Sequence, residues 1–289
     1  MQIIINGLIS GSAIALLAVA FQMVYLPTRV FFLGLAGLYS LTPYLLMASR
    51  QAGLPDTIGI PATTAAVVVM ALLCEWLNHA RLARKGASEG VHLISSLGIY
   101  ILTVQIIAMV WGNNTHSLRT ETNSMLRLGQ VILTKPQLFI VAATLILLPL
   151  LWITLRQSSI GVRLRALADN PSRLGLLGYN LGNYRLLAFG FAGVFAAASS
   201  LLSANDLGFD PYSGLDAVLI AVVAVIIGGR FSFFGPAVGG LLLGVIRAQV
   251  VWQYSARWQE AVTFAVLAIF LLFRPEGLRG SKTRLEAAA

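Results

Sequence analysis

Few side chains in this sequence have types and spacings suited to chemistry. His79, His92 and His116 fall on separate segments, too scattered to form a metal trio. The one cysteine, Cys74, lies in an apolar run, so neither an intrachain disulfide nor a cysteine-based metal cluster can form. No His-x-x-Glu-His or Ser/His/Asp pattern stands out. Gly280-Ser281-Lys282-Thr283 lacks the upstream glycine and the preceding strand of a phosphate-binding loop. Three groups remain: a basic, helix-forming stretch at 161–178, a glycine-rich run at 228–244, and charges set in apolar surroundings at Glu75, Asp216, Arg247 and Glu260.

The stretch 161–178 reads as two short helices. In the first, Ile160, Leu164 and Leu167 recur at i, i+4 and i+7 and share a face, while Arg163, Arg165 and Asp169 point elsewhere. The second has Asn170 at an N-cap position, Pro171 at the first helical position and Gly178 where a C′ glycine ends a helix. Such a hairpin can insert into a groove on a cytoplasmic partner, or lie on lipid with its basic residues at the headgroups. The glycines Gly235, Gly239, Gly240 and Gly244 suit close helix packing, and the run 228–236 could also be a broken helix at a transport path. The charges in apolar runs cost a few kcal/mol each at a bilayer centre. They can snorkel, Arg247 can pair with Glu260, or Arg247 with Asp216 or Glu260 can shape the field at the mouth of a path. Phe31, Phe32, Tyr39 and Tyr44 read as packing or interface anchors before a substrate cage, and Phe231, Phe233 and Phe234 near Arg230 as an anchor before a gate.

These groups must be positioned by membrane-spanning helices. Of 289 residues 57% are apolar and only 11% charged, against about 25% charged in soluble domains. Roughly 165 apolar residues suffice for eight or nine spans of about 20 each. The apolar runs are continuous, not alternating, which excludes a transmembrane β-barrel. The expected fold is therefore all-α: a polytopic integral membrane helical bundle of about eight or nine spans, one domain over 1–284. The tail 285–289 reads as a disordered end or a vector remnant. Cuts at Pro, Gly and charge clusters give apolar segments at 3–26, 30–49, 58–77, 91–112, 136–155, 186–204, 214–228, 235–252 and 259–273. The first lacks a basic region ahead of it, so it is expected to stay as a span.

A net charge of +9 would suggest nucleic acid for a soluble chain. In a membrane protein it marks a side, and no nucleic-acid partner is expected. Fourteen of the 20 basic residues fall near Arg29, at 78–90, at 156–185, at Arg230 and from Arg274 onward, on alternate connections throughout. The positive-inside rule makes that set cytoplasmic, with the amino terminus outside and the carboxyl terminus inside.

The order Gly161-x-Arg163-x-Arg165-Ala166-x-Ala168-x-Asn170-Pro171, followed by Leu177-Gly178-Tyr179-Asn180, resembles the ATPase-coupling loop of inner-membrane permeases of bacterial ABC importers, of the branched-chain amino acid and urea class. Asn6-Gly7-Leu8, Gly11-Ser12 and Met23-Val24-Tyr25 resemble that family's first span, Gly228-Gly229, Gly235, Gly239-Gly240 and Gly244 its glycine signature, and Pro275-x-Gly277-Leu278 its carboxyl end. The resemblance implies a transport subunit, not an enzyme, without a cofactor or metal of its own, ATP and Mg being bound by separate ABC ATPase subunits. It also implies a second permease subunit, homologous or identical, an external substrate-binding protein, and residence in the bacterial inner membrane. Coupling would fall to Gly161, Arg163, Leu164, Arg165, Leu167, Asp169, Asn170, Pro171, Arg173, Leu177 and Gly178, with Leu164, Leu167 and Leu177 filling the ATPase groove. The translocation path would take Asn6, Ser12, Phe32, Tyr39, Asp216, Gly228, Gly229, Arg247 and Glu260. The cargo would be amino acids, urea or related small amides and organic acids. Two departures bear on that cargo: Phe32-Leu33-Gly34-Leu35-Ala36-Gly37 stands where the family usually carries Asn-Phe-Ala-His-Gly, and Arg247 where many members carry an acid. The rival reading is a stand-alone secondary transporter or channel for a small polar solute.

Overall fold

The computed structural model describes residues 2–118, 125–128, 131–229, 231–274 and 276–278. Arg230, Pro275 and the tail from residue 279 onward, which figured in the sequence reading, lie outside the described residues. In chain order the elements are α1 (Gln2–Thr28), α2 (Gly34–Gln51), α3 (Asp56–Leu73), a π-helical turn (Cys74–His79) leading into α4 (Ala80–Arg84), and α5 (Glu89–Trp111). An antiparallel hairpin follows, β1 (Met125–Leu128) with β2 (Val131–Thr134), then α6 (Lys135–Gln157), α7 (Ser159–Asp169), α8 (Pro171–Leu176) and α9 (Leu181–Leu207). The chain closes with α10 (Ser213–Gly228), α11 (Gly235–Gln253), a 3-10 turn (Ala256–Trp258) and α12 (Gln259–Phe273).

Each of the nine apolar segments is a helix, and the molecule is a polytopic helical membrane protein. Seven of the helices are long and apolar enough to cross a bilayer, and α10 is a shorter apolar helix. The hairpin β1–β2 is an element that the apolar pattern did not hold. Boundaries follow local chemistry. Helix α1 ends at Thr28 because Arg29 turns into the left-handed region at φ 57°. Helix α2 starts four residues later than the apolar run, where the Gly34 amide donates to Ser96 Oγ at 2.8 Å. Helix α9 starts earlier than the run, because Asn180 Oδ1 accepts from Gly182 N at 3.0 Å and caps it.

Helix α1 is the central column, buried along most of its length from Gly11 onward. Its most extensive contact is with α11, followed by α9 and α10. In lipid there is little hydrophobic drive between helices, so attraction comes from close van der Waals approach between small residues. Gly244 lies so tightly on the Gly11 backbone and the Gly7 carbonyl that no Cβ fits, and Gly240 sits on the Ala15 backbone. The adjacent pair faces elsewhere: Gly239 meets the Ala224 carbonyl and Gly235 the Gly228 carbonyl, both on α10. One glycine run thus serves two partners, because residues 239 and 240 point about 100° apart around a helix. On the outside, large apolar side chains such as Met109 and Leu272 are exposed where acyl chains would cover them.

The connection between α10 and α11 is a covered hairpin loop at the end of the bundle shared with the α1 C-terminus. Gln22 Nε2 donates to the Ser232 carbonyl at 3.0 Å, and Ser232 Oγ accepts from Gly235 N at 3.1 Å. Near the carboxyl end, Leu278 N donates to the Ile227 carbonyl at 2.9 Å and Gly277 packs on Gly229. Gly228 and Gly229 therefore join two helices and do not interrupt one.

Replacing Gly244 with Leu should lower stability by at least about 1–3 kcal/mol through overpacking, read as a lower melting temperature in detergent. Gly98→Ala, where a Cβ meets open space, should not; equal melting temperatures would contradict the α1–α11 contact.

Candidate functional site

At the end of the bundle carrying the α1 N-terminus, a cavity of about 950 Å³ opens among α1, α2, α9, α10 and α11. Its polar lining includes Asn6 and Ser10 from α1, Tyr39 from α2, Ser203 and Asp206 from α9, Asp210 ahead of α10 and Ser213 at its start, Arg247 from α11 and Gln259 from α12. The wall is tied together by hydroxyls. Ser199 Oγ donates to the Ala13 carbonyl at 2.8 Å and Ser200 Oγ to the Tyr39 carbonyl at 2.6 Å, pinning α9 to α1 and α2. Asp210 Oδ1 accepts from Tyr212 N at 2.8 Å and Ser213 N at 3.0 Å, capping α10 beside the opening.

Arg247 is the cavity's guanidinium. Nη1 donates to Thr263 Oγ1 at 3.0 Å, and Thr263 in turn donates to the Gln259 carbonyl at 2.6 Å. In place of the ion pair with Glu260 considered from sequence, the hydrogen-bond partners of Arg247 are uncharged, and Glu260, exposed on the same helix as those partners, acts on it only at longer range. Arg247 thus keeps its charge available to the cavity it lines.

Of the residues placed on a path from sequence, Asn6, Tyr39 and Arg247 line this cavity. The others do not. Ser12 is buried and donates to the Leu8 carbonyl at 2.7 Å. Phe32 is fully buried near the opposite end, edge-on to His79 with ring centres 5.5 Å apart. Gly228 and Gly229 lie in the covered loop at that same end. Asp216 is exposed: Ser213, Ala217 and Ile220 turn toward the cavity and carry residue 216 off that face. The sequence reading missed Ser199, Ser203 and Asp206, although their i, i+4, i+7 spacing marks one polar stripe on an apolar helix.

The opposite end carries the hairpin α7–α8. Ser158 Oγ accepts from Gly161 N at 3.0 Å and caps α7, and Gly161 packs on the α6 backbone at Thr154 and Leu155 where a Cβ would collide. Asn170 Oδ1 accepts from Arg173 N at 3.0 Å ahead of Pro171, and Gly178 takes φ 81° beyond α8. Both caps read from sequence are present. The apolar face is turned differently from the expectation: Leu164 and Leu167 are 0% and 2% exposed, packed in the chain's own core, and Ile160 faces out. Leu176 and Leu177, at 89% and 73% exposed, form the apolar tip at the end of α8, and Arg165, Asp169 and Arg173 of the same hairpin are exposed as well. Arg163 donates to the Tyr184 hydroxyl at 2.9 Å and stacks 4.6 Å from the Tyr179 ring centre. The hydrogen bond with Tyr184 pushes the Arg163 pKa further up, so it stays cationic at any physiological pH.

Next to this hairpin lies a polar cluster that sequence spacing did not reveal. Glu75, whose carboxylate is 1% exposed, takes both arms of Arg185 at 2.5 and 3.3 Å, in place of the snorkelling considered from sequence. His79 and His92 approach Nδ1 to Nδ1 at 3.1 Å, so one donates and the other accepts. Asn78 Oδ1 accepts from Ser95 Oγ at 2.8 Å. Among the described residues, no cluster of three His, Cys, Asp or Glu side chains is arranged to hold a metal.

A bundle of apolar helices with a polar-lined cavity at one end and a capped, surface-tipped hairpin at the other defines a membrane permease. The family model described as "Branched-chain amino acid transport system / permease component" matches residues 3–271, and the chain belongs to this family of ABC transporter permease subunits. It is 26% identical to the high-affinity branched-chain amino acid transport system permease protein BraD of Pseudomonas aeruginosa, over 97% of this chain and 95% of that protein. The corresponding protein LivH of Escherichia coli is likewise 26% identical, over 97% and 95%. A more distant relative is the fructose import permease protein FruF of Bifidobacterium longum, 24% identical over 79% of this chain and 73% of that protein.

Because Leu164 packs within its own chain, Leu164→Ala should cost the isolated permease about 2–5 kcal/mol, whereas Leu177→Ala should leave its unfolding within about 0.5 kcal/mol. Thermal unfolding in detergent checks both, and equal effects would overturn this assignment of the two faces.

Proposed function

We propose that this chain is the permease subunit of an ATP-driven bacterial importer whose cargo carries a carboxylate, with amino acids of the branched-chain type as the leading class. The observation that carries the cargo class is the cavity itself. Arg247, presented by uncharged partners, offers a cation on one element, and Asp206 and Asp210 line the same cavity from others. That distribution suits a zwitterion, whose ammonium and carboxylate each need an opposite charge when they leave water. Urea and neutral amides offer no carboxylate to Arg247, so they fit the lining less well. The names of the relatives BraD and LivH point to the same class.

The positive-inside distribution supports an orientation with the cavity on the outer side, the amino terminus outside and the hairpin α7–α8 in the cytoplasm. An external binding protein would deliver cargo to the cavity. The tip formed by Leu176, Leu177, Arg165 and Arg173 would seat in a groove on an ABC ATPase subunit, which binds ATP and Mg, in the helix-in-groove manner. A second permease subunit, homologous or identical, would complete the pathway. Rigid-body movement of the hairpin would then open the path to one side at a time.

The test is uptake into proteoliposomes holding the permease with its ATPase subunits and binding protein. Arg247→Ala should lower the maximal uptake rate of a carboxylate-bearing cargo roughly 10- to 150-fold, the value of a hydrogen bond to a charged group. Arg247→Lys should restore part of it. Unchanged uptake in Arg247→Ala would remove Arg247 from the path, and uptake persisting without ATP would contradict the importer reading.

A further inference from the structure

The buried Glu75–Arg185 pair belongs neither to the cavity nor to the exposed tip of the hairpin, yet it sits between them. Arg163 on α7 holds the Tyr184 hydroxyl at 2.9 Å. The next residue, Arg185, is locked to Glu75 on the π-helical turn through both carboxylate oxygens. That turn is widened relative to an α-helix, a feature found often at functional positions. From it His79 reaches His92 on α5, and Asn78 reaches Ser95 on the same helix. One residue further along α5, Ser96 accepts from the first amide of α2. Helix α9 itself runs from Arg185 to Ser200, which lines the cavity, over roughly 22 Å at 1.5 Å per residue. At that far end Ser200 holds the carbonyl of Tyr39, which belongs to α2.

The cluster therefore fixes the hairpin end of α9 to α3, α5 and α2, and two of those four helices, α9 and α2, form walls of the cavity. A buried, doubly hydrogen-bonded ion pair resists being pulled apart, because either partner alone would be left as an uncompensated charge in an apolar interior. Replacement by apolar packing could supply stability equally well; fixing two elements in one register is the better-attested use of such a pair.

We propose that Glu75 and Arg185, continued through Tyr184 to Arg163, are positioning residues that carry movement of the α7–α8 hairpin into the cavity-lining helices α9 and α2. This rests on the reading of the hairpin as the ATPase contact. Spatial continuity alone does not establish coupling, so the test reads coupling directly.

The experiment compares wild type, Glu75→Gln, Glu75→Asp and Tyr184→Phe, each assembled with the ATPase subunits in proteoliposomes, and measures cargo moved per ATP hydrolysed. The expected result is that Glu75→Gln and Tyr184→Phe still hydrolyse ATP but move roughly 5- to 150-fold less cargo per ATP, the usual range of coupling between sites. Glu75→Asp should recover part of the ratio. If Glu75→Gln fails to assemble, Tyr184→Phe, which keeps the ring and loses only the hydroxyl, decides alone. An unchanged ratio in Tyr184→Phe overturns the proposal, as does a Glu75→Gln that assembles in lower yield with a normal ratio, since that is what a merely structural pair would give. A wild-type complex that hydrolyses no ATP would instead overturn the importer reading, and this role with it.

Discussion

Close backbone contact between α1 and α11 is the constraint on which the rest of the structure depends. In a bilayer the acyl chains are as apolar as leucine, so helices gain little by hiding leucines from lipid. They gain by approaching where Gly7, Gly11 and Ala15 of α1 meet Gly240 and Gly244 of α11, and the neighbouring Gly235 and Gly239 bring α10 to the other side. Once these three helices are fixed, Arg247 on α11 and Asn6 on α1 must face one space, and the cavity follows from the packing. The covered loop at the far end follows as well, because Gln22 of α1 reaches Ser232 only if the three helices stand in that register.

Polar chemistry is then concentrated at the two ends. At one end the hydroxyls of Ser199 and Ser200 tie walls together, leaving Arg247 and the acids as the charged lining. At the other the Glu75–Arg185 pair and the two histidines join the π-helical turn after α3 to α9 and α5 next to the hairpin. Between them the interior is largely apolar and tightly filled, with Leu16, Val19 and Val67 fully buried. Stiff packing of this kind moves as blocks, which suits a device that must present its cavity to alternate sides.

Much of this was legible in the residues. The nine apolar runs became nine helices because continuous apolar stretches have no other way to satisfy their backbone in lipid. The caps at Asn170 and Gly178 were legible because capping is local chemistry. What sequence could not supply was direction. The stripe of Leu164 and Leu167 announces an apolar face without saying whether its partner is the same chain or another, and here it is the same chain. Phe32, Gly228 and Asp216 were drawn toward a path by their positions in a motif or an apolar run, yet helix rotation and end placement put them outside the Arg247 cavity. The partnership of Arg247 with Thr263, sixteen residues on, depends on how α12 folds back, which no local spacing encodes. The π-helical turn that aims Glu75 at Arg185, 110 residues away, left no sign in the periodicity.

An experimental structure of the permease assembled with its ATPase subunits in a lipid nanodisc would test the arrangement most directly. The expected result is that Leu176, Leu177 and Arg173 sit in a groove of the ATPase, with the Arg247 cavity opening on the opposite face of the bilayer. A hairpin tip lying on lipid with no ATPase contact, or a cavity opening on the ATPase side while the helices keep these contacts, would contradict it.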